Sequence, residues 1–263
     1  MDLGITGKVA LVCGSSAGLG RAIADALAAE GCRVAVNGRD EERLNHAVAL
    51  LAQRHDTDIA GFRADVSVPT QAIDLVDQVR ERFGSLDILV CNAGGPTAAP
   101  FDATPSESWQ AALDLNLLST VHLCRAAVPM MRERRWGRII CLTSVAARQP
   151  IAGLILSTTA RAGVLGFSKC LSDELAMEGI TVNAVCPGYM RTDRVTDLVE
   201  QRAAQTKRST DQVLAGYVAD TPVGRMGEPD ELAAAVAFLA SEKAGYITGV
   251  ALQVDGGFIR SIM

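Results

Sequence analysis

The stretch CGSSAGLG, Cys13 to Gly20, has the composition of a phosphate-binding turn. Glycines at 14, 18 and 20 let the backbone bend sharply, come close to a pyrophosphate and pack the next segment on a sheet. Where a helix opens at such a turn, its free N–H groups face the phosphate oxygens. A second candidate is LILSTTARAGVLGFSK, Leu154 to Lys169, which follows the strand-like IICLTS ending at Ser144. On a helix, Ser157 and Arg161 stand four residues apart and share a face. An alkyl hydroxyl is a weak acid and a guanidinium keeps its proton, so the pair is a poor proton donor but a fair anion site.

The elements that must position these groups are visible in the chain. KVALVC precedes an Ala-rich helix from Leu19 to Glu30, RVAVN precedes EERLNHAVALLAQ, IAGFRAD precedes AIDLVDQVRERF, and LDILVCN precedes a long segment to about Arg134. GRIICLTS then leads into a helix from Ser157 to Glu178, ITVNAVCPG into a polar stretch, and Leu232 to Leu239 precede VALQVDGG. Apolar strands alternating with helices imply right-handed βαβ crossovers and a parallel sheet covered on both faces. The expected fold is α/β: a single doubly wound (Rossmann) domain over 1–263, its parallel sheet of about seven strands flanked by helices on both faces. The polar segment 193–220 follows the carboxyl end of a strand, where such sheets bind ligands, and reads either as a substrate lid or as an amphipathic surface excursion.

Composition excludes several classes. A net charge of −5 argues against nucleic acid or an anionic membrane as partner, and the basic run RERRWGR, Arg132 to Arg138, reads as a solvated helix end. No apolar run reaches the roughly 18–20 residues that cross a bilayer. The start, MDLGITGKVALVCGSS, lacks the features of a secretory signal, so the expected location is the cytoplasm. Seven cysteines without a C-x-x-C pair read as small buried hydrophobes in a reducing compartment, with no metal site. His46, His55 and His122 match no metal or triad spacing; the first two are expected on the surface, His122 in the core or an interface.

The G-x-x-x-G-x-G spacing of the turn resembles that of the short-chain dehydrogenase/reductase family, and the resemblance covers nearly the whole chain. Asp65-Val66 stands where that family contacts the adenine ring. CNAGG, Cys91 to Gly95, is similar to its NNAG turn beneath the adenosine, and Asn116 falls at its helix asparagine. Ser144 ends the strand that supplies its catalytic serine. PGYMRT, Pro187 to Thr192, resembles the turn whose threonine holds the nicotinamide carboxamide, and GRMGEPDELAAAVAFLASEKAGYITGVALQVDGG resembles the carboxyl end of the β-ketoacyl-acyl-carrier-protein reductase branch. The resemblance implies a nicotinamide-dependent oxidoreductase for a carbonyl/alcohol pair. Its cofactor residues would be Gly14, Ser16, Gly18, Leu19, Gly20, Asp65, Val66, Asn92, Gly94, Pro187, Gly188 and Thr192. Gly38 stands where NAD-specific members carry an aspartate, and Arg39 follows with a fork of donors suited to a 2′-phosphate; NADP is thus favoured over NAD. The other reading of Arg39 is a residue that caps or solvates the next helix.

At the chemical end the family pattern breaks. In the family a tyrosine protonates the carbonyl oxygen and a lysine lowers its pKa. Thirteen residues beyond Ser144 comes Ser157 at the tyrosine position, and GFSKCL, Gly166 to Leu171, aligns with the family's GLTKSL in the same register. Arg161 then takes the lysine position, and Lys169 matches a separate family lysine. A tyrosine needs its pKa lowered by about 3 units, roughly 4 kcal/mol, which one nearby cation supplies; a serine hydroxyl starts too high for that.

Three readings follow. Redox chemistry is kept and Ser144, Ser157, a bound water or Tyr189 delivers the proton, with Arg161 steadying the ribose or the alkoxide. Alternatively the chemistry is non-redox and lyase-like, as in halohydrin dehalogenases of this fold, which carry an arginine at the lysine position yet keep the tyrosine and replace the glycine turn. The third reading is a catalytically silent NADP-binding homologue, a sensor or subunit partner. Asn116 either holds a water in a proton relay or caps a bend in its helix. The absent phenol leaves room for water or a larger substrate. Pro150, Ile151, Ala152, Leu154, Ile155 and Leu156 would form an apolar wall, suited to an apolar ketone or alcohol. The family's interfaces, through helices near 105–134 and 157–178, imply a homo-oligomer, a tetramer or a dimer.

Overall fold

Strands buried on both faces read as nearly continuous apolar runs, and VALV, ILVC and GRIICL are buried throughout, the one charge, Arg138, donating to the carbonyls of Ser241 and Gly137. The computed structural model describes residues 1–262. Its strands are β1 (Val9–Val12), β2 (Arg33–Gly38), β3 (Ile59–Arg63), β4 (Ile88–Cys91), β5 (Gly137–Leu142), β6 (Ile180–Pro187) and β7 (Ala251–Val254). All pair in parallel in the order β3-β2-β1-β4-β5-β6-β7, the expected doubly wound α/β sheet. The helices are α1 (Gly18–Ala29), α2 (Glu41–Arg54), α3 (Pro69–Phe83), α4 (Ser106–Leu113), α5 (Ser119–Arg134), α6 (Ile155–Leu175), α7 (Asp193–Thr206), α8 (Thr210–Ala219) and α9 (Pro229–Leu239).

Strand side chains alternate between two cores, because successive residues of a strand face opposite ways. Leu11, Leu89, Cys91, Ile139 and Cys141 meet Leu75 and Val79 of α3 and Leu123 and Ala127 of α5. Val12, Ile88, Val90 and Ile140 meet Ile23 and Leu27 of α1 and Leu232 and Val236 of α9. Chain order reverses between β1 and β4, whose register Val12↔Val90 brings the turn after β1 beside the loop after β4. That reversal point at the carboxyl edge is where such sheets bind ligands.

Some local features differ from the sequence expectation. The segment running to Arg134 is broken by a π-helical turn, Asp114–Leu118, whose extra residue turns Asn116 into the interior. Residues 193–220 form α7 and α8, which pack on each other through Val199, Ala203 and Val213. His46 is exposed, but His55, expected on the surface, is half-buried because its Nε2 meets Asp25 Oδ1 at 2.7 Å. His122 is half-buried on α5. Six cysteines are buried as expected and Cys170 is exposed. Among the described residues no helix is long and apolar enough to cross a membrane, and no His/Cys/Asp/Glu group could hold a metal.

Candidate active site

The glycine turn is held in shape by two asparagines from neighbouring strands. Asn92, just after β4, donates from Nδ2 to the carbonyls of Cys13 (3.1 Å) and Gly14 (3.2 Å). Asn37 of β2 accepts the Gly14 N–H at its Oδ1 (3.2 Å) and donates to the carbonyls of Phe62 and Ala64 (3.1 and 3.2 Å). Ser15 closes the brace by donating its hydroxyl to the Val12 carbonyl at 2.6 Å and accepting the Asn37 N–H at 3.0 Å. Gly14 and Gly18 have φ of 56° and 55°, the left-handed region that favours glycine. A side chain at Gly20 would strike the Gly14 carbonyl oxygen. No side chain caps the start of α1 and no acidic residue lies in its first turn, so its first N–H groups are left for an anionic ligand.

A cleft of about 420 Å³ runs from this turn along the carboxyl edge of the sheet. Gly14, Gly18, Leu19, Gly20, Asn92, Gly94, Pro187, Gly188 and Thr192 line it together with Ser144, Ser157 and Arg161. Gly188 is needed for close packing, since a Cβ there would lie 2.7 Å from Asp255 Cα. Of the expected apolar wall only Leu154 reaches the cleft; Leu156 is buried and Ile151 packs beside Val145 and Phe258. The apolar lining comes instead from Pro96, Leu142, Met190, Val195 and Leu198.

Six expected residues do not line the cleft. Ser16 stands against Gly38, where a Cβ would lie 3.0 Å from the serine Oγ. Arg39 is exposed, with Nη1 3.5 Å from Asp65 Oδ2. Burial alone would raise the Asp65 carboxyl, but bonds from the Ser67 hydroxyl (2.6 Å) and N–H (3.0 Å), with Arg39, hold it below the ordinary carboxylate value. Val66 is buried among the core residues beneath α3. Asn116 donates from Nδ2 to the Gly94 carbonyl at 2.8 Å, while its buried Oδ1 has no hydrogen-bond partner among the described residues. Tyr189 stacks on Tyr217 of α8 at 4.1 Å between ring centroids and meets Phe258 edge-on at 5.3 Å. Burial pushes its hydroxyl up to about 12, with Tyr217 adding to the rise, so it is both out of the cleft and a weaker acid than a free tyrosine.

The chemical end is built from β5 and α6. Ser144 accepts the Ala146 N–H at 3.1 Å, which leaves its own hydrogen free to donate elsewhere. Ser157 and Arg161 are each 8% exposed, one turn apart on α6. The Arg161 guanidinium donates from Nη1 to the carbonyls of Leu142 (3.1 Å) and Thr143 (2.8 Å). From Nη2 it reaches those of Ala93 (3.4 Å) and Gly94 (3.3 Å). It therefore ties the end of β5 to the loop after β4, a role that the anion-site reading did not contain. Lys169 is exposed and paired with Asp173 at 2.8 Å. Sequence reasoning missed Asn37 and Ser15, and also Arg43, whose side chain lines the cleft from α2. The signal for Arg43 was its place three residues after Asp40, which caps α2 by accepting the Arg43 N–H at 2.9 Å.

Comparison with known proteins gives a consistent set of likenesses. A family model described as enoyl-(acyl carrier protein) reductase matches residues 14–259. The 3-oxoacyl-(acyl-carrier-protein) reductase of Haemophilus influenzae is 39% identical over 255 residues, 97% of this chain and 99% of that protein. D-beta-hydroxybutyrate dehydrogenase of Cupriavidus necator is 37% identical over 257 residues, 97% of this chain and 99% of that one. Among solved structures, L-sorbose reductase from Gluconobacter frateurii, complexed with NADPH and L-sorbose, superposes with a TM-score of 0.95 at 34% identity, covering 100% of both chains.

Proposed function

Because the chain belongs to the short-chain dehydrogenase/reductase family, we propose that it is an NADP(H)-dependent oxidoreductase interconverting a carbonyl and an alcohol with unusual proton handling. The observation that carries this reading is the continuous cleft from the braced glycine turn to Ser144 and Ser157. The residues fit a dinucleotide: α1 starts bare of acid and side-chain cap, and Gly20 keeps the turn free of any Cβ. Gly38 packs so closely on Ser16 that an aspartate there would force Ser16 to move, which supports NADP over NAD. The NADPH bound in L-sorbose reductase supports the same choice.

When bound, the nicotinamide supplies a hydride to the carbonyl carbon or receives one from the alcohol. The chain supplies the rest. N–H groups of Gly18 to Gly20 would hold the phosphates, and Pro187, Gly188 and Thr192, which line the same cleft, would flank the reacting end. Ser144 donates its hydroxyl hydrogen to the substrate oxygen. Arg161 keeps its proton, so it adds positive charge beneath the floor and fixes the carbonyls of Ala93, Gly94, Leu142 and Thr143 without acting as the acid. The proton that completes the alcohol is relayed from bulk solvent by a water held by the Ser144 and Ser157 hydroxyls, which takes a proton from solvent as it gives one to the substrate oxygen, in the space a phenol would fill. Residues 193–220 act as the lid, in support of which Val195, Asp197 and Leu198 line the cleft. Its apolar lining supports an apolar ketone or alcohol as substrate. Exposed Phe101, Val250 and Leu252 support a homo-oligomer, a tetramer or a dimer.

A silent NADP-binding protein is the second reading, and the observation favouring it is the commitment of Arg161 to four backbone carbonyls. Purified protein incubated with NADPH and a panel of apolar ketones separates the two. Consumption of NADPH with formation of alcohol is the expected result. Saturable NADPH binding without any turnover, with turnover appearing in the Ser157→Tyr/Arg161→Lys double variant, would establish the silent reading instead.

A further inference from the structure

We propose that Tyr217 is a positioning residue for the substrate: its ring, stacked on Tyr189, latches the lid of α7 and α8 onto the turn that carries Thr192. The proposal rests on the reading of 193–220 as a lid and names the contact that holds it down.

The lid keeps its apolar side chains to itself. Val199, Ala203 and Val213 are buried against one another, with Val195 and Tyr217 packed at their edge. Among the described residues, none of 193–220 enters either of the two main cores, and α7 and α8 pack chiefly on each other. The tip between them is exposed, with Lys207 in the left-handed region at φ 54°. A hairpin with so little apolar area set against the domain opens at low cost.

Tyr217, in the last turn of α8, crosses from this hairpin to the body. Its ring lies 4.1 Å from that of Tyr189 between centroids, with the planes 7° from parallel. Tyr189 meets Phe258 edge-on, 5.3 Å between centroids and 83° between planes. Phe258 and Ile259 pack with Val145, the residue after Ser144, and with Ile151. The three rings thus join the lid to both segments that supply the reacting end, the loop that starts at Ser144 and the turn 187–192. Burial raises both phenols above the ordinary tyrosine value, as expected of rings enclosed between segments.

The base under this joint is fixed without the lid. The Tyr189 carbonyl accepts the Gly227 N–H at 3.0 Å, the Arg191 N–H donates to the Gly227 carbonyl at 2.8 Å, and Met190 pairs with Gly227 in an isolated bridge. Arg191 Nε donates to Glu228 Oε1 at 2.9 Å. At the Phe258 end, the two carboxylate oxygens of Asp255 accept the N–H groups of Gly257 and Ile259, each at 2.9 Å. Release of Tyr217 therefore frees the lid and leaves the cofactor turn in place. Val195, Asp197 and Leu198 of the lid line the cleft, so an unlatched lid weakens the hold on substrate.

The test uses the full chain. Tyr217→Phe keeps the ring, Tyr217→Leu keeps apolar bulk without a stack, and Tyr217→Ala removes both; each is checked by its melting curve and assayed well below its midpoint. Trypsin cleavage after Lys207 and Arg208, followed by mass spectrometry, reads lid opening, while ketone KM and NADPH Kd read the two ends of the cleft. The worth of a stacked aromatic pair sets an expected effect of about three- to ten-fold. Leu and Ala variants are cut faster at the lid tip and show a higher ketone KM by that factor. Their kcat, their NADPH Kd and their cleavage outside 193–220 stay within about two-fold of wild type, and Tyr217→Phe matches wild type throughout. Wild-type cleavage and KM in both the Leu and Ala variants would overturn the latch. So would equal losses of ketone and NADPH affinity, the mark of a general loosening, or losses in Tyr217→Phe as large as in Tyr217→Ala. Faster cleavage with an unchanged KM would overturn the role toward substrate, and the lid reading with it. NADPH binding without turnover of any ketone would overturn the oxidoreductase reading instead, and cleavage rates together with NADPH Kd would then decide the latch.

Discussion

Replacing Arg161 with methionine separates a clamp from a catalytic cation. The guanidinium makes two short bonds, to Thr143 at 2.8 Å and Leu142 at 3.1 Å, and two long ones, to Gly94 at 3.3 Å and Ala93 at 3.4 Å. A charged donor contributes about 1.5–3 kcal/mol per good bond, and the long pair adds little at those distances. Methionine keeps most of the buried apolar stem, so packing loss is small, and removing a buried charge returns part of its desolvation cost. The net loss is then about 2–4 kcal/mol, or roughly 5–15 °C in melting temperature for a domain of this size. Thermal melts and urea titrations of wild type, Arg161→Met and Arg161→Lys measure it, with lysine expected between the other two because it lacks the fork. NADPH affinity should fall in parallel, since Ala93 and Gly94 line the cleft. A methionine variant that melts within about 1 °C of wild type would refute the clamp.

Further predictions concern the turn, the aromatic cluster and the thiols. Gly20→Ala drives a Cβ into the Gly14 carbonyl and to 2.9 Å from Asn92 Nδ2, neither of which can retreat; it should cost about 1–3 kcal/mol in a urea titration and most of the NADPH affinity. Tyr189 titrates near 12 in the folded protein, above its unfolded value of about 10, so its contribution to stability holds below about pH 10 and is lost as pH rises toward 12. Tyr189→Phe should shrink that alkaline loss in pH-dependent unfolding and leave kcat/KM near neutrality within about two-fold; a larger fall would return the hydroxyl to the cleft. One thiol per native chain, that of exposed Cys170, should react promptly with Ellman's reagent, and all seven in denaturant.

How far these features could be read from the residues depended on the range of the interactions behind them. The sheet was readable because parallel strands buried on both faces appear as runs such as VALV and ILVC, and the glycine turn because close backbone approach admits few other residues. The clamp was not readable: the carbonyls that hold Arg161 lie 18, 19, 67 and 68 residues away. His55 likewise finds Asp25 at a separation of 30 residues, and Asn37 finds the Phe62 and Ala64 carbonyls only once β3 is paired. Tyr189 shows how narrow the margin is. Its neighbours Gly188 and Met190 both line the cleft, while the ring between them, in the bend after β6, turns to Tyr217. Ser157 and Arg161 share a buried helix face, as their spacing required, but spacing says nothing about which acceptors fill that face.

The most direct test of the account is isotopic. Protein is incubated with NADPH deuterated at C4 of the nicotinamide and with a carbonyl substrate from the ketone panel, and the product alcohol is analysed by mass spectrometry. Deuterium on the carbinol carbon of the wild-type product is the result predicted for hydride transfer from the nicotinamide to the carbonyl carbon. Alcohol formed without label, or no alcohol from any carbonyl although NADPH binds, would contradict it.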